Sequence, residues 1–542
     1  MVNLNLEKLN TLAELVDQLI LDATRKKELK ELLKVHLETA FIFENDFCEG
    51  YFYYILGNCS SDLYHYKNES WYSQDLINTV SLYQKSVFYL KKASSDKNLL
   101  SFALTNLGNF LSSQGRCFCA QYYWDQAIEL NENPVAIIAK AQSLLFISSN
   151  LYDEYHTEIH YFFTNKLVKK VKLMFEALEL EQKLPLQPHG NLYTFNQWYE
   201  QHYQDGEFKF IKEYEQKIRT KIEGRYLRWS AKNKLFVNDL NDLCIDEIVF
   251  QDVIGLPSIT QRINTSLSLK EQLVFHSNFD ELRNEYAYAR YLIFQASEIK
   301  DESKHFYNAT YAHTDDTLHA IDNLKTSHLK SAFRVLYSIF EKISYFLTKY
   351  LKFEVNDRHI SFSKVFGNNK NRRFQPREVL KNSKNYFIHA LFYILKEIEE
   401  VDSDHFDIFT NSKQHRLSKI RNHLEHRSFR IVDDFGYRLN TEFDFYHRTM
   451  YEKLLTRKHE LIEENLINSD EFKEVSEQIQ DKEKKANYIL EMPISEFEES
   501  LLTLARLIRN SLMYLSLAVH LEESCREEED KLVLSRVVPL KK

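Results

Sequence analysis

The sequence predicts an all-α protein, and three observations predict it. Only 10 Gly and 7 Pro occur in 542 residues, far fewer than the turns of a β-rich or doubly wound fold demand. Long stretches are rich in Leu, Lys, Glu, Ile and Phe, which argues for helices with few breakers. Apolar residues recur at helical spacing in segment after segment. A chain of this length has room for two to four domains and a sizeable core.

Residues 1–50 read as an opening helical pair, the first helix carrying Leu4, Leu6, Leu9, Leu12, Leu15, Val16 and Leu19. Met1 to Lys30 lacks the basic lead and apolar block of a signal peptide. Helical hairpins follow to about residue 185. The clearest unit runs from 104 to 134. Leu104, Leu107, Gly108 and Leu111 lie on one helix, a turn falls near Gly115, and Ala120, Trp124 and Ala127 lie on the next, with Pro134 closing the unit. Small residues at 108, 120 and 127 let two helices approach while large ones fill the groove. This spacing resembles the tetratricopeptide repeat, which implies a stacked, TPR-like solenoid whose surface binds a protein or ligand. Leu56-Gly57-Asn58 echoes Leu107-Gly108-Asn109 from 51 residues earlier, so an intervening helix or insertion is expected. A degenerate third unit spans about 136–180.

Residues 186–265 form an aromatic-rich connecting region with Trp198 and Trp229. Its run Asn238-Asp-Leu-Asn-Asp-Leu243 reads as a helix exit into an ordered loop, to which we assign no chemistry. Helical periodicity resumes at about 266, in Phe279–Ile299, Lys330–Leu351, Tyr386–Glu400, His415–Ile431 and Glu496–Cys525. The domain of residues 266–542 carries a charged insertion at about 436–495, expected as an exposed helix or helical hairpin.

The formal net charge is −9, so any RNA contact must be local. Six cysteines are scattered with no C-x-x-C pair, which indicates neither a zinc site nor a disulfide framework and fits a reducing cytoplasm. No metal or cofactor is expected, and no apolar run is long enough to span a bilayer.

The segment Arg421-Asn422-His423-Leu424-Glu425-His426 carries the chemistry. With Leu417 to Ile431 as one helix, Leu417, Ile420, Leu424 and Ile431 form an apolar face. Asn422 and His426, four apart, lie opposite it, with Arg421 and Glu425 beside them. An arginine fork stabilises a phosphate, and histidine moves protons near neutrality. The pair thus meets two needs of a phosphodiester-cleaving site. Across a two-fold axis the strip would face its own copy, so two arginines and two histidines converge. A plain Arg421–Glu425 surface ion pair is the other reading. A second basic segment holds Lys364, Lys370, Arg372, Arg373, Arg377, Lys381 and Lys384, with Phe366 and Phe374 interleaved. Lys370, Arg372, Arg373 and Arg377 are the candidate RNA contacts, with the two rings as stacking partners. A solvated loop is the alternative.

Three segments carry a wider resemblance: Lys330 to Leu347, Lys419 to Asp433, and Asn238 to Leu243. Their order is similar to the HEPN superfamily, in its subfamily with an N-terminal helical-repeat region. HEPN domains are helical bundles that commonly dimerise. Many are metal-independent endoribonucleases with an R-x-x-x-x-H motif and a polar residue after the arginine, and Arg421, Asn422 and His426 match each place. The resemblance implies cleavage by 2′-hydroxyl attack in a homodimer: His426 exchanges the proton, Arg421 stabilises the anionic phosphorus, and Asn422 orients His426 or substrate. Glu341, expected to fix the Arg421 fork, joins Glu425 and Lys419 as supporting candidates. It also implies a toxin or antiphage-defence effector whose repeat region senses a partner. The alternative is a non-catalytic scaffold in which repeats and bundle both only bind.

Overall fold

The computed structural model describes residues 2–65, 68–94, 96–176, 190–203, 218–259, 261–262, 274–312, 319–356, 360–370, 373–399, 413–463, 466, 469–486, 489–525 and 533–534. The longer helices are α1 (Leu6–Leu21), α2 (Lys26–Glu38), α3 (Asp46–Leu63), α4 (Gln74–Ala93), α5 (Lys97–Ser113), α6 (Cys117–Asn131), α7 (Pro134–Ser148), α8 (Glu154–Glu176), α9 (Gly190–His202), α10 (Lys221–Lys232), α11 (Val274–Ser297), α12 (Leu324–Tyr350), α13 (Tyr386–Glu399), α14 (Lys413–His426), α15 (Asp434–Glu463), α16 (Asp470–Ala486) and α17 (Ile494–Ser524). Described strands occur only in pairs: β1 (Val2–Leu4) with β2 (Phe41–Phe43), β3 (Gln261–Arg262) with β8 (Val533–Leu534), β4 (Gly367–Lys370) with β5 (Arg373–Pro376), and β6 (Ser428–Val432) with β7 (Ile489–Pro493). Among the described residues the fold is all-α, as the sequence predicts.

Packing divides the chain into two units. Met1–Asn284, Phe340–Ser412 and Arg506–Lys542 form the first, and Glu285–Ile339 with Lys413–Ala505 the second.

In the first unit, α3/α4, α5/α6 and α7/α8 pack as successive hairpins. The Leu-Gly-Asn echo has a physical cause. A Cβ on Gly57 would lie 2.7 Å from the Tyr83 ring on α4, and one on Gly108 would lie 2.5 Å from Trp124 Nε1 on α6. Each aromatic fills the notch that its glycine leaves. The next residue then takes the aromatic's polar atom: Tyr83 donates its hydroxyl to Asn58 Oδ1, and Trp124 donates Nε1–H to Asn109 Oδ1, both at 3.0 Å. Among the described residues no helix other than α4 separates the two motifs. The long loop after α3 and the 20-residue α4 account for the wide spacing. Pro134 opens α7 rather than closing a unit. Its missing N–H is harmless in the first turn, and Asn133 Oδ1 caps Val135 N at 3.0 Å.

The Asn238–Leu243 run is ordered, with a buried 3-10 turn over Asp239–Asp242. Asp239 accepts from His156 Nδ1 at 2.6 Å and from His160 Nε2 at 2.7 Å, both on α8. Asp242 accepts from Arg509 Nη1 through both oxygens at 2.9 Å. Arg509 also donates to the carbonyls of Phe236 at 2.7 Å and Asn238 at 2.6 Å. Short Asn and Asp side chains thus tie α8 to the C-terminal part of α17.

In the second unit, Phe429 and Phe333 pack on Phe497 of α17 with ring centroids 5.1 and 5.9 Å apart. The expected helix over Leu417–Ile431 stops at His426. Ser428–Val432 is a strand, paired in parallel with Ile489–Pro493. Phe429, Ile431 and Val432 are buried, and aromatic and β-branched residues suit a pleated, half-buried surface. Parallel pairing needs a crossover. The charged insertion supplies it as the α15/α16 helical hairpin, packed around Leu461, Val475 and Ile479.

Candidate functional site

Helix α14 positions the site by burying one face. Leu417 and Ile420 are fully buried, and Leu424 and His423 nearly so. With that face fixed, Asn422, Glu425 and His426 stand in solvent and Arg421 is half-buried. Lys419 is also exposed.

Two residues of α12 organise the strip, and sequence reading missed both. Arg334 donates Nε–H to Glu425 Oε1 at 3.0 Å and Nη2–H to the Leu424 carbonyl at 2.8 Å. The second bond satisfies a carbonyl in the last turn of α14, where helix carbonyls lack donor partners and favour cations. Tyr337, one turn further along, lies under Arg421, with the guanidinium carbon 5.7 Å from the ring centroid. Arg421 Nη1 donates to Asn422 Oδ1 at 3.2 Å. Glu425 therefore pairs with Arg334, and Arg421 is held by a ring face and an amide. Lys330, Arg334 and Tyr337 recur at spacings of four and three on one face of α12. That periodicity was the available signal, and the partner helix lies some 90 residues away.

His423 differs from His426. It is buried, with Nδ1 3.2 Å from the Ser428 carbonyl. Burial pushes its pKa below the ordinary histidine value, helped by nearby Arg427 and Lys419 and opposed by that bond. His423 anchors the turn into β6, and His426 is the imidazole open to solvent.

The remaining candidates separate. Glu341 accepts the Phe362 N–H at 2.8 Å, so its carboxylate is engaged at the start of the Phe362–Val365 helix. The basic segment forms the β4–β5 hairpin. Arg372 and the side chains of Lys370 and Arg373 lie outside the described residues. Arg377 is a structural clamp: it donates to the carbonyls of Val365 at 2.6 Å and Lys364 at 2.9 Å, and lies 5.1 Å over Phe353. Phe366 is buried, and Phe374 packs on Phe392 at 4.9 Å. The two rings expected to stack on bases are thus packing residues. Among the described residues, no three His, Cys, Asp or Glu side chains are grouped to hold a metal, and no helix is long and apolar enough to cross a membrane.

Residues 266–465 match the family described as LA2681-like HEPN. This region is a HEPN domain. The match spans α11 to α15 and so includes the whole Arg421–His426 strip. No curated protein and no solved structure matches the chain. HEPN domains are commonly ribonucleases and often bind RNA and dimerise, so the match suggests a nuclease or RNA-binding role.

Proposed function

We propose that this protein is a metal-independent endoribonuclease acting as a homodimer through its HEPN domain. One observation carries the reading: the apolar face of α14 is buried while Asn422 and His426 stand in solvent beside the half-buried Arg421 on its last turn and a half. A helix that needed only to pack would not require this set there.

The chemistry follows from the groups. One imidazole takes the proton of a ribose 2′-hydroxyl, and the oxygen attacks the adjacent phosphorus. The bond from phosphorus to the 5′-oxygen breaks, and the partner's His426 returns a proton to that oxygen. Arg421 stabilises charge on the crowded phosphorus. Its seat on Tyr337 and Asn422 reduces the reorganisation required. The products are a 2′,3′-cyclic phosphate, or its hydrolysed form, and a 5′-hydroxyl. The TPR-like hairpins of the first unit receive a partner or trigger, in a cytoplasmic toxin or antiphage-defence effector.

The test is cleavage of RNA by purified protein in EDTA, with end-group analysis and light-scattering mass. EDTA-resistant cleavage with cyclic phosphate ends, by a dimer, is expected. Activity lost on chelation and restored by magnesium would contradict the chemistry. A stable monomer, with and without RNA, would remove the composite site. A dimer that cleaves nothing would favour the non-catalytic scaffold.

A further inference from the structure

In the second unit, the loop between α11 and α12 holds three large rings in the open. Phe306 is 82% exposed, Tyr311 59% and Tyr307 42%. Isolated exposed apolar residues need no explanation, but a group of them does. The turn that carries them is buttressed. His305 Nδ1 accepts the Tyr307 N–H at 3.3 Å, and Asn308 donates to the Asp322 carbonyl at 2.5 Å. The Tyr307 hydroxyl lies 2.7 Å from the Ser327 hydroxyl on α12. The His305 ring sits 4.2 Å from the Phe306 ring, centroid to centroid. The turn is thus fixed by polar contacts, with the Tyr307 ring tied through its hydroxyl to α12 and the Phe306 ring projecting into solvent.

Their position along α12 connects them to the strip. Ser327, Ser331, Arg334 and Ser338 recur at spacings of four, three and four, so they share one stripe, and the last three are exposed. Seven residues separate Ser327 from Arg334, roughly 10 Å along the axis. Arg334 bonds Glu425, the neighbour of His426. The stripe therefore runs from the aromatic turn to the candidate site on a single rigid helix. Arg334 is exposed on it; in the preceding loop Lys304 and the acids Glu302 and Asp322 are exposed, while Asp301 is bound by Lys325 at 2.7 Å.

We propose that Phe306 and Tyr307 form a stacking platform for unpaired bases of the RNA whose backbone lies on the Arg421–His426 strip. The proposal rests on the ribonuclease reading for the identity of the ligand. Aromatic faces stack on any base, whereas paired bases stack on one another and present only their edges. A platform at this distance from the strip selects single-stranded substrate without reading its sequence. The continuity of the stripe with the Arg421–His426 strip favours RNA over a protein partner.

Binding is measured with the full-length chain in a His426→Ala background, so that cleavage does not intervene. The probes are fluorescent oligouridine and a fully paired RNA duplex of the same length. Phe306→Ala with Tyr307→Ala should weaken oligouridine binding by about ten- to a hundredfold, the range for losing one stacked base. Duplex binding should change little, and Phe306→Trp should bind at least as well as the unsubstituted chain. Melting curves check that the variants fold. Unchanged oligouridine affinity would overturn the proposal, as would an equal loss for duplex. Dissociation of a dimer with RNA affinity unchanged would also overturn it, marking the rings as an interface between copies. If the unsubstituted chain cleaves nothing yet shows the ring-dependent preference for single strands, the platform stands and the ribonuclease reading fails. If it cleaves RNA without that preference, the platform fails and the ribonuclease reading stands.

Discussion

In the Asn238–Asp242 turn, histidine, arginine and carboxylate are buried, and both oxygens of Asp239 and of Asp242 are bonded. On the last turn and a half of α14, Glu425 and His426 stand in solvent and Arg421 is half-buried, with Glu425 in a half-exposed ion pair. Burial makes the first cluster structural, because a charge removed from water must be fully matched. Exposure leaves the second able to receive a charged ligand. Residue type does not distinguish the two clusters; commitment of the charges does.

The largest contrast should appear in stability. Asp239→Ala strands two buried imidazoles and should cost about 3–5 kcal/mol, as when one partner of a buried pair is removed. Urea unfolding reads this, and a loss as small as that of a surface substitution would show that the cluster is not a structural tie. The same cluster sets a pH signature. Burial alone would raise the Asp239 carboxyl, but the two imidazoles outweigh it and hold it well below the usual carboxylate range. Its contribution is therefore present above the unfolded value, about 3.9, and is lost as pH falls through the depressed folded value. Burial alone would lower His156, but Asp239 raises it above the ordinary value. Its contribution is complete below about 6.5 and is lost as pH rises through the raised folded value. Asp153, 3.8 Å from His156 Nε2, acts in the same direction. The stability gap between wild type and Asp239→Asn should thus be widest between about pH 4 and 6.5 and should narrow at higher pH. A gap that grows with pH would contradict the pairing.

Leu424→Ala removes a buried side chain from α14 and should cost about 2–5 kcal/mol, with any loss of cleavage following loss of fold. Arg334→Ala should cost only about 1 kcal/mol, since its ion pair with Glu425 is half-exposed. It should nevertheless reduce cleavage, by freeing the end of α14. If Arg334→Ala destabilises more than Leu424→Ala, the division between packing face and open strip is wrong.

Local patterns were legible from sequence, and distant partners were not. The stripe of Leu417, Ile420 and Leu424 needs only the helical period, and so does the strip opposite it. The Leu-Gly-Asn echo and Trp124 were visible, whereas Tyr83, the ring that fills the Gly57 notch, was not. Strand β6 was misread because Ile431, seven residues after Leu424, fits a helical stripe as well as it fits alternation with Phe429. The strand's partner lies about sixty residues later, beyond a charged hairpin. Phe366 and Phe374 looked like stacking rings because they interleave with cations, but Phe392 on α13 takes them both into packing contacts, with centroids 5.8 and 4.9 Å away. The partners of Asn238–Asp242 were invisible because they lie at 156, 160 and 509.

The central claim is that the open strip cleaves RNA, and His426→Ala tests it most directly. Wild type and variant are purified, shown by melting to be folded within roughly 1 kcal/mol of each other, and incubated with a defined RNA in EDTA. The account predicts a fall in cleavage of at least about a hundredfold for the variant, the usual effect of removing a general acid–base. A folded His426→Ala protein that cleaves as fast as wild type would contradict it.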